Sequence, residues 1–275
     1  MIQVDTEIRR AREFADYQAC VDLQKKVWGF AELTDVTSLP ILWIANRFGG
    51  CVLVAQEASG RFIGFSLALL AKQPSGADFW WSHMTAVISE YRNRDIGLRL
   101  KLRQREEALK QGVDEIRWTF DPLQSINGYF NVAKLGVVVR RYEENIYGVT
   151  SSSLHHGLPT DRFVAEWNLN SNRVKERIDP SESSVVFRDL DRIPCVNPSG
   201  TDPRLEFSDE QLLVEIPTNL PDLDRAVIED WQHGLKAACR HYFEAGYAVV
   251  DFIKLDRGRP ERAFYVLSRT TPAST

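Results

Sequence analysis

Three apolar stretches lie almost end to end between Cys51 and Ser89, and this crowding limits the folds open to the chain. Cys51–Glu57 and Arg61–Ala71 are separated only by Ala58-Ser59-Gly60, and they read as two strands of a hairpin closed by a glycine-containing turn. Asp78–Ser89 is the third stretch and ends at the charged segment Glu90–Asp95. Upstream, Thr6–Arg12 reads as a strand, and Cys20, Val21, Leu23 and Val27 give Asp16–Trp28 helical spacing. A second apolar helix over Leu39–Arg47 is stopped by Gly49-Gly50. Downstream, a long helix over Ile96–Gln111 closes at Gly112, a buried strand covers Glu115–Phe120, and a helix over Ser125–Leu135 ends at Gly136. Val137–Tyr142 and Phe163–Leu169 supply two more strands. The order β-α-α-β-β-β-α-β-α-β-β is that of an α/β protein built around one mixed sheet.

Near Asn170–Asp191 the sequence turns polar and charged, and this predicts a boundary between domains at 1–172 and 185–275. The second domain is a smaller α/β unit, with strands at Gln211–Ile216, Ala248–Lys254 and Ala263–Ser268 and a long helix at Asp222–Ala245. Its strand–helix–Gly-Tyr–strand run echoes the first half, as a degenerate second copy of the same fold would. A net charge of −4 argues against a dedicated nucleic-acid partner. No apolar run reaches the length of a membrane span, and Met1–Arg10 lacks a signal-peptide core. The four cysteines are far apart and form no CxxC pair, which suits a cytoplasmic location and argues against structural zinc.

The chemistry concentrates in Val87-Ile-Ser-Glu-Tyr-Arg92-Asn-Arg-Asp-Ile-Gly97-Leu-Arg-Leu100, which runs strand, polar loop, helix. A helix start leaves backbone N–H groups unpaired at the positive end of the helix dipole, so it attracts phosphate. Gly97 lets a ligand approach the backbone, and Arg92 and Arg94 can add charge-assisted hydrogen bonds to a diphosphate. This stretch resembles the acyl-CoA loop of the GNAT acetyltransferases, whose pattern is (Arg/Gln)-x-x-Gly-x-(Gly/Ala). The element order across roughly residues 1–170 is similar as well, and so is Asn127–Gly136 (NGYFNVAKLG) to the helix after that family's fifth strand. SHMTAV, LKLRQREEALKQG, WTFDPLQSIN and GLPTDRFVAEW extend the resemblance to a subgroup with a C-terminal extension, some members of which are N-succinyltransferases.

The resemblance implies a GNAT-like mixed, mostly antiparallel central sheet flanked by helices, plus the smaller C-terminal α/β domain. It implies transfer of an acetyl or succinyl group from acetyl-CoA or succinyl-CoA to the amine of a small molecule, an amino acid among the candidates. Thr85, Ala86 and Val87 on the strand, Arg92, Asn93, Arg94, Asp95, Ile96, Gly97 and Leu98 on the loop, and Asn127 and Asn131 on the later helix are the implied cofactor contacts. Two positions depart from the family. Asp95 stands where the first loop glycine is usual, and Val132 where many relatives carry a tyrosine that protonates the leaving thiolate. Tyr129 and Tyr142 are the substitutes for that acid, and His83 and Glu90 are candidate bases.

Each of these has a plainer reading. His83 reads as a partly buried structural histidine, Glu90 as an exposed or capping carboxylate, and Asp121 before Pro122 as a turn residue. Most of the charges of Ile96–Gln111 read as a solvated face supported by Glu106, Glu107 and their basic neighbours. Asp161-Arg162 reads as a structural pair, although Arg162 could hold a substrate carboxylate. Trp80, Trp81, Trp118 and Trp167 read as core. His155-His156 lacks further ligands at metal spacing, so no metal is expected. A non-catalytic acyl-CoA sensor and an interaction protein with a degenerate loop are the competing functions. The C-terminal region could shape the acceptor pocket or mediate homodimerisation.

Overall fold

The computed structural model describes residues 6–30, 33–148, 159–179, 190–200, 202–255 and 261–269. His155-His156 lies outside them. The chain forms two compact units, Met1–Trp118 with Tyr147–Leu158, and Thr119–Ile146 with Pro159–Thr275.

The first unit opens with β1 (Thr6–Arg10), α1 (Phe14–Trp28) and α2 (Leu39–Arg47). β2 (Cys51–Glu57), β3 (Phe62–Lys72) and β4 (Asp78–Val87) follow as an antiparallel meander, with β1 antiparallel to β2. The short turns between β2, β3 and β4 permit only antiparallel pairing. α3 (Ile96–Lys110) is long enough to cross over, and β5 (Glu115–Phe120) accordingly lies parallel to β4. Cys51, Val52, Leu53, Val54, Ile63, Phe65 and Leu67 are fully buried, so β2 and β3 form the core of the unit and α1, α2 and α3 pack on its sheet.

The second unit begins with α4 (Ser125–Gly128), which continues as a π-helix over Tyr129–Lys134, then β6 (Val138–Glu143) and β7 (Arg162–Asn168). α5 (Asn172–Ile178) is capped by Ser171, whose hydroxyl accepts from the Val174 amide. β8 (Gln211–Ile216), α6 (Arg225–Glu244), β9 (Tyr247–Leu255) and β10 (Arg262–Arg269) complete it. Its strands run in the order β7-β6-β9-β10-β8, all antiparallel. The sheets of the chain are therefore mixed and mostly antiparallel, with helices packed against the strands. The core of the second unit is aromatic: Phe163 and Phe252 each stand 5.1 Å from Tyr265, edge to face. A Cβ on Gly128 would lie 2.6 Å from the Phe252 ring, so glycine lets α4 press onto this cluster.

The π-helix has its C-terminal carbonyls occupied. The Arg177 guanidinium donates to the carbonyl of Ala133 at 3.1 Å, and Arg173 Nε donates to that of Gly136 at 3.1 Å. Arg177 in turn pairs with the buried carboxylate of Asp251. No helix among the described residues is long and apolar enough to cross a membrane.

Candidate functional site

β4 carries one residue too many for its partner. Leu67 of β3 faces Met84, and the next residue, Ala68, faces Ser82. His83 is therefore the extra residue of a β-bulge, which bends the strand and breaks the ladder locally. The bulge also changes the side-chain alternation. Ser66 and Ala68, two apart on β3, share a face, and their partners Thr85 and Ser82 are three apart.

On its other edge β4 pairs with β5 only at Trp80–Ile116 and Trp81–Arg117. From Ser82 to Val87 it continues along that edge with no further β5 pairing among the described residues. Thr85 and Val87 are half-buried there, and Ala86 is buried.

After Val87 the chain makes a single 3-10 turn at Ser89–Tyr91 and then winds into α3. Asn93 and Asp95 both take positive φ, 60° and 56°. Left-handed backbone suits glycine best, and asparagine and aspartate tolerate it better than most other residues. Asp95 thus takes a backbone conformation that glycine most often supplies. Its side chain does not cap α3, and the first amide bonded within the helix is that of Arg99, to the Asp95 carbonyl at 2.9 Å. The amides of Ile96, Gly97 and Leu98 sit at the helix start, where intrahelical acceptors are lacking. Gly97 and Leu98 are half-exposed, Ile96 is buried, and Arg92, Asn93, Arg94 and Asp95 are exposed around them.

The loop is braced from one side. The Tyr91 hydroxyl donates to the Glu57 carboxylate, and the guanidinium groups of Arg61 and Arg94 stand 5.7 and 5.3 Å from the centre of its ring. Glu90 accepts from Lys26 at 3.2 Å, Arg61 at 3.1 Å and the Ser89 hydroxyl at 2.9 Å. Its own backbone amide, then Ser89 and Lys26, hold its carboxyl down at about 2. A carboxylate so acidic has little affinity for a proton at neutral pH, and its bonds tie the loop to α1 and to the turn just before β3. His83 is exposed on the bulge, yet the protein mass near it disfavours its charged form, and desolvation lowers its pKa from 6.5. It is neutral, and able to accept a proton, at physiological pH.

The charges of α3 are not all solvated. Lys101, Gln104 and Glu107 form a buried polar stripe at i, i+3 and i+6, whereas Glu106 is exposed. Glu107 is paired with Arg10, Arg103 and Lys110. Lys101 donates to the Ser82 hydroxyl at 2.8 Å, and its ammonium lies 3.7 Å from the centre of the Trp118 ring. Burial lowers its pKa to about 7. Lys101 is an exception to the solvated face because the partners that make its burial tolerable come from β4 and β5.

In the second unit, Asn131 and Val132 are buried in the π-helix and Asn127 is half-buried just before it, while Tyr129 is exposed. The Tyr142 hydroxyl donates to the Asp161 carboxylate at 2.7 Å; desolvation and then that bond push its pKa up. Asp161 also accepts from the Asn145 amide at 2.9 Å, which secures the turn where Asn145 takes positive φ. Arg162 is buried and donates to the carbonyl of Asp161. Asp121 accepts from the Leu123 amide at 2.9 Å, as a turn residue does. Trp80, Trp118 and Trp167 are buried and Trp81 half-buried.

No family model and no curated protein matches the chain. Its backbone is similar to that of solved acetyltransferases. Aminoglycoside 6'-acetyltransferase type Ii has 18% identity, with 60% of this chain and 98% of that one covered and a TM-score of 0.47. For yncA from Salmonella typhimurium with its cofactor acetyl-CoA the values are 18%, 61%, 95% and 0.47. For Arabidopsis thaliana Naa50 in complex with a bisubstrate analogue they are 18%, 59%, 98% and 0.45.

Proposed function

We propose that the chain is an acyl-CoA-dependent N-acyltransferase that moves an acetyl or succinyl group to the amine of a small molecule. The observation that carries this reading is the path of β4 into α3: a bulged strand that beyond Trp81 has no β5 pairing among the described residues, a loop with left-handed turns at Asn93 and Asp95, and a helix start without a side-chain cap. The residues fit a diphosphate. The amides of Ile96, Gly97 and Leu98 would receive its oxygens, and the exposed Arg92 and Arg94 would neutralise its charge. The bound thioester supplies the activated acyl group.

The edge of β4 from Ser82 to Val87, which has no β5 pairing among the described residues, offers amides of the kind that stabilise an oxyanion on the acyl carbonyl. The attacking amine must first lose a proton, and His83, neutral and exposed on the bulge, suits that role better than Glu90 with its carboxyl near 2. Tyr129 is the acid candidate with an exposed side chain, whereas the Tyr142 proton is held by Asp161. Binding both reactants side by side itself contributes to the rate. Asn127 and Asn131 are further proposed cofactor contacts, and Arg162 is the proposed anchor if the acceptor is an amino acid. Residues 1–172 form the proposed acyl-CoA-binding domain, and residues 185–275 a C-terminal domain suited to acceptor selection or homodimerisation in a cytoplasmic protein.

A second reading, a non-catalytic acyl-CoA sensor, draws on the burial of Val132 and the engaged proton of Tyr142. Thermal melts with CoA, acetyl-CoA and succinyl-CoA, each in large excess, test both. A ligand at about 100 times its Kd adds roughly 2.7 kcal/mol. Stabilisation together with thiol release in the presence of an amine supports the enzyme, stabilisation without release supports the sensor, and no stabilisation overturns both.

A further inference from the structure

The buried polar groups of α3 form a connected set with β3 and β4. Lys101 Nζ donates to Ser82 Oγ at 2.8 Å and to Gln104 Oε1 at 3.4 Å. Gln104 Nε2 donates to Ser66 Oγ at 2.8 Å, and Ser66 Oγ lies 3.2 Å from Thr85 Oγ1. Ser66, Ser82, Lys101 and Gln104 are all buried, and among the described residues no carboxylate lies within ion-pair distance of Lys101. Burying an ammonium without a counter-ion is costly, and hydrophobic packing alone would be served by leucine or methionine. The amine therefore needs a reason to be there.

The two ends of this set supply one. Ser82 precedes the extra residue His83, and Thr85 follows it. Lys101 holds β4 directly before the bulge, and Gln104, three residues on along the same helix, reaches it beyond the bulge through Ser66 of β3. Ser82 and Thr85 can turn toward α3 together only while the bulge is present, because in a regular strand residues three apart point to opposite faces. We propose that Lys101 is a positioning residue that, with Gln104, clamps the bulge of β4 in register and so fixes the amides that face the acyl carbonyl. This rests on the acyltransferase reading for the role of those amides. One helix then does two things: its first turn receives the diphosphate, and its second and third turns set the strand edge where the acyl group would lie.

The test compares wild type with Lys101→Met and Ser82→Ala in the full chain. Ser82→Ala removes one hydroxyl and keeps the fold if Lys101→Met does not. Amide hydrogen exchange over residues 82–87 is expected to quicken about tenfold in either variant as local opening becomes easier, while the start of α3 is unchanged. With acetyl-CoA, kcat is expected to fall about ten- to a hundredfold, as small misplacements of catalytic groups do, with the Kd for CoA unchanged. Unaltered exchange in both variants overturns the clamp. Faster exchange with unaltered kcat overturns its role in positioning. Loss of kcat and CoA binding together, with a general fall in stability, reduces Lys101 to a core residue. A wild type that binds CoA esters but turns over no amine overturns the acyltransferase reading and this role with it, and the exchange data then show whether the clamp exists as a purely structural device.

Discussion

The Tyr142 hydroxyl donates a hydrogen bond to the carboxylate of Asp161, which simultaneously secures the turn at Asn145. The phenol is half-buried and stands edge to face with Phe163 at 5.8 Å. Tyr142→Phe keeps the ring and removes the donor to a charged acceptor. It should cost about 1–3 kcal/mol, read as a lower urea midpoint with an unchanged m-value.

Gly97 stands in the first turn of α3, where the proposed diphosphate would lie against backbone. Gly97→Glu brings bulk and negative charge to that point. The variant is expected to fold, with a far-UV spectrum like that of wild type, and to lose the thermal shift caused by CoA. An unchanged shift would place the ligand elsewhere.

Asp95 has the backbone of a glycine and the charge of a carboxylate. Asp95→Gly keeps the turn without a steric penalty and removes the carboxylate at the N-cap of α3. CoA is expected to bind several-fold more tightly by calorimetry, with the gain shrinking as salt is raised. Weaker binding would show that the aspartate itself contacts the ligand.

The pKa of Lys101 is lowered to about 7 by burial, against the ordinary 10.5 it regains on unfolding. Between these values the unfolded chain holds a proton that the folded chain does not, so this residue makes stability rise with pH across the window. Above 10.5 both forms are neutral and the penalty is absent; below 7 both are charged and it is fully present. Each pKa unit is worth about 1.4 kcal/mol. Urea melts from pH 7 to 9.5 should show this slope in wild type and a flatter one in Lys101→Met.

Most elements were legible in the sequence because local pattern decides them. The three apolar runs of β2, β3 and β4 and the glycines after α2 and α3 left few alternatives. α5 was not: Asn172–Ile178 is so polar that it reads as linker, although Ser171 marked its cap. The π-helix at Tyr129–Lys134 has no periodicity of its own, and the arginines that hold its end come from Arg173 and Arg177, about forty residues on. The loop after β4 was legible as an anion site, but the role of Asp95 was not, since residue type alone does not give φ. Lys101 did not stand out among the charges of α3 for the same kind of reason. Its neighbours on α3 are charged, and its burial is set by Ser82 and Trp118 on other elements.

The extra residue at His83 has a genetic consequence. Deleting it would be the smallest change a gene can make to β4 short of substitution, yet it would restore two-residue alternation between Ser82 and Val87 and turn the side chains beyond it over. Substitution at His83 leaves the reading of the strand intact, whereas loss of the codon does not. The number of residues in this stretch of β4 is therefore constrained separately from the identity of residue 83, and in a lineage of such chains it should almost never change.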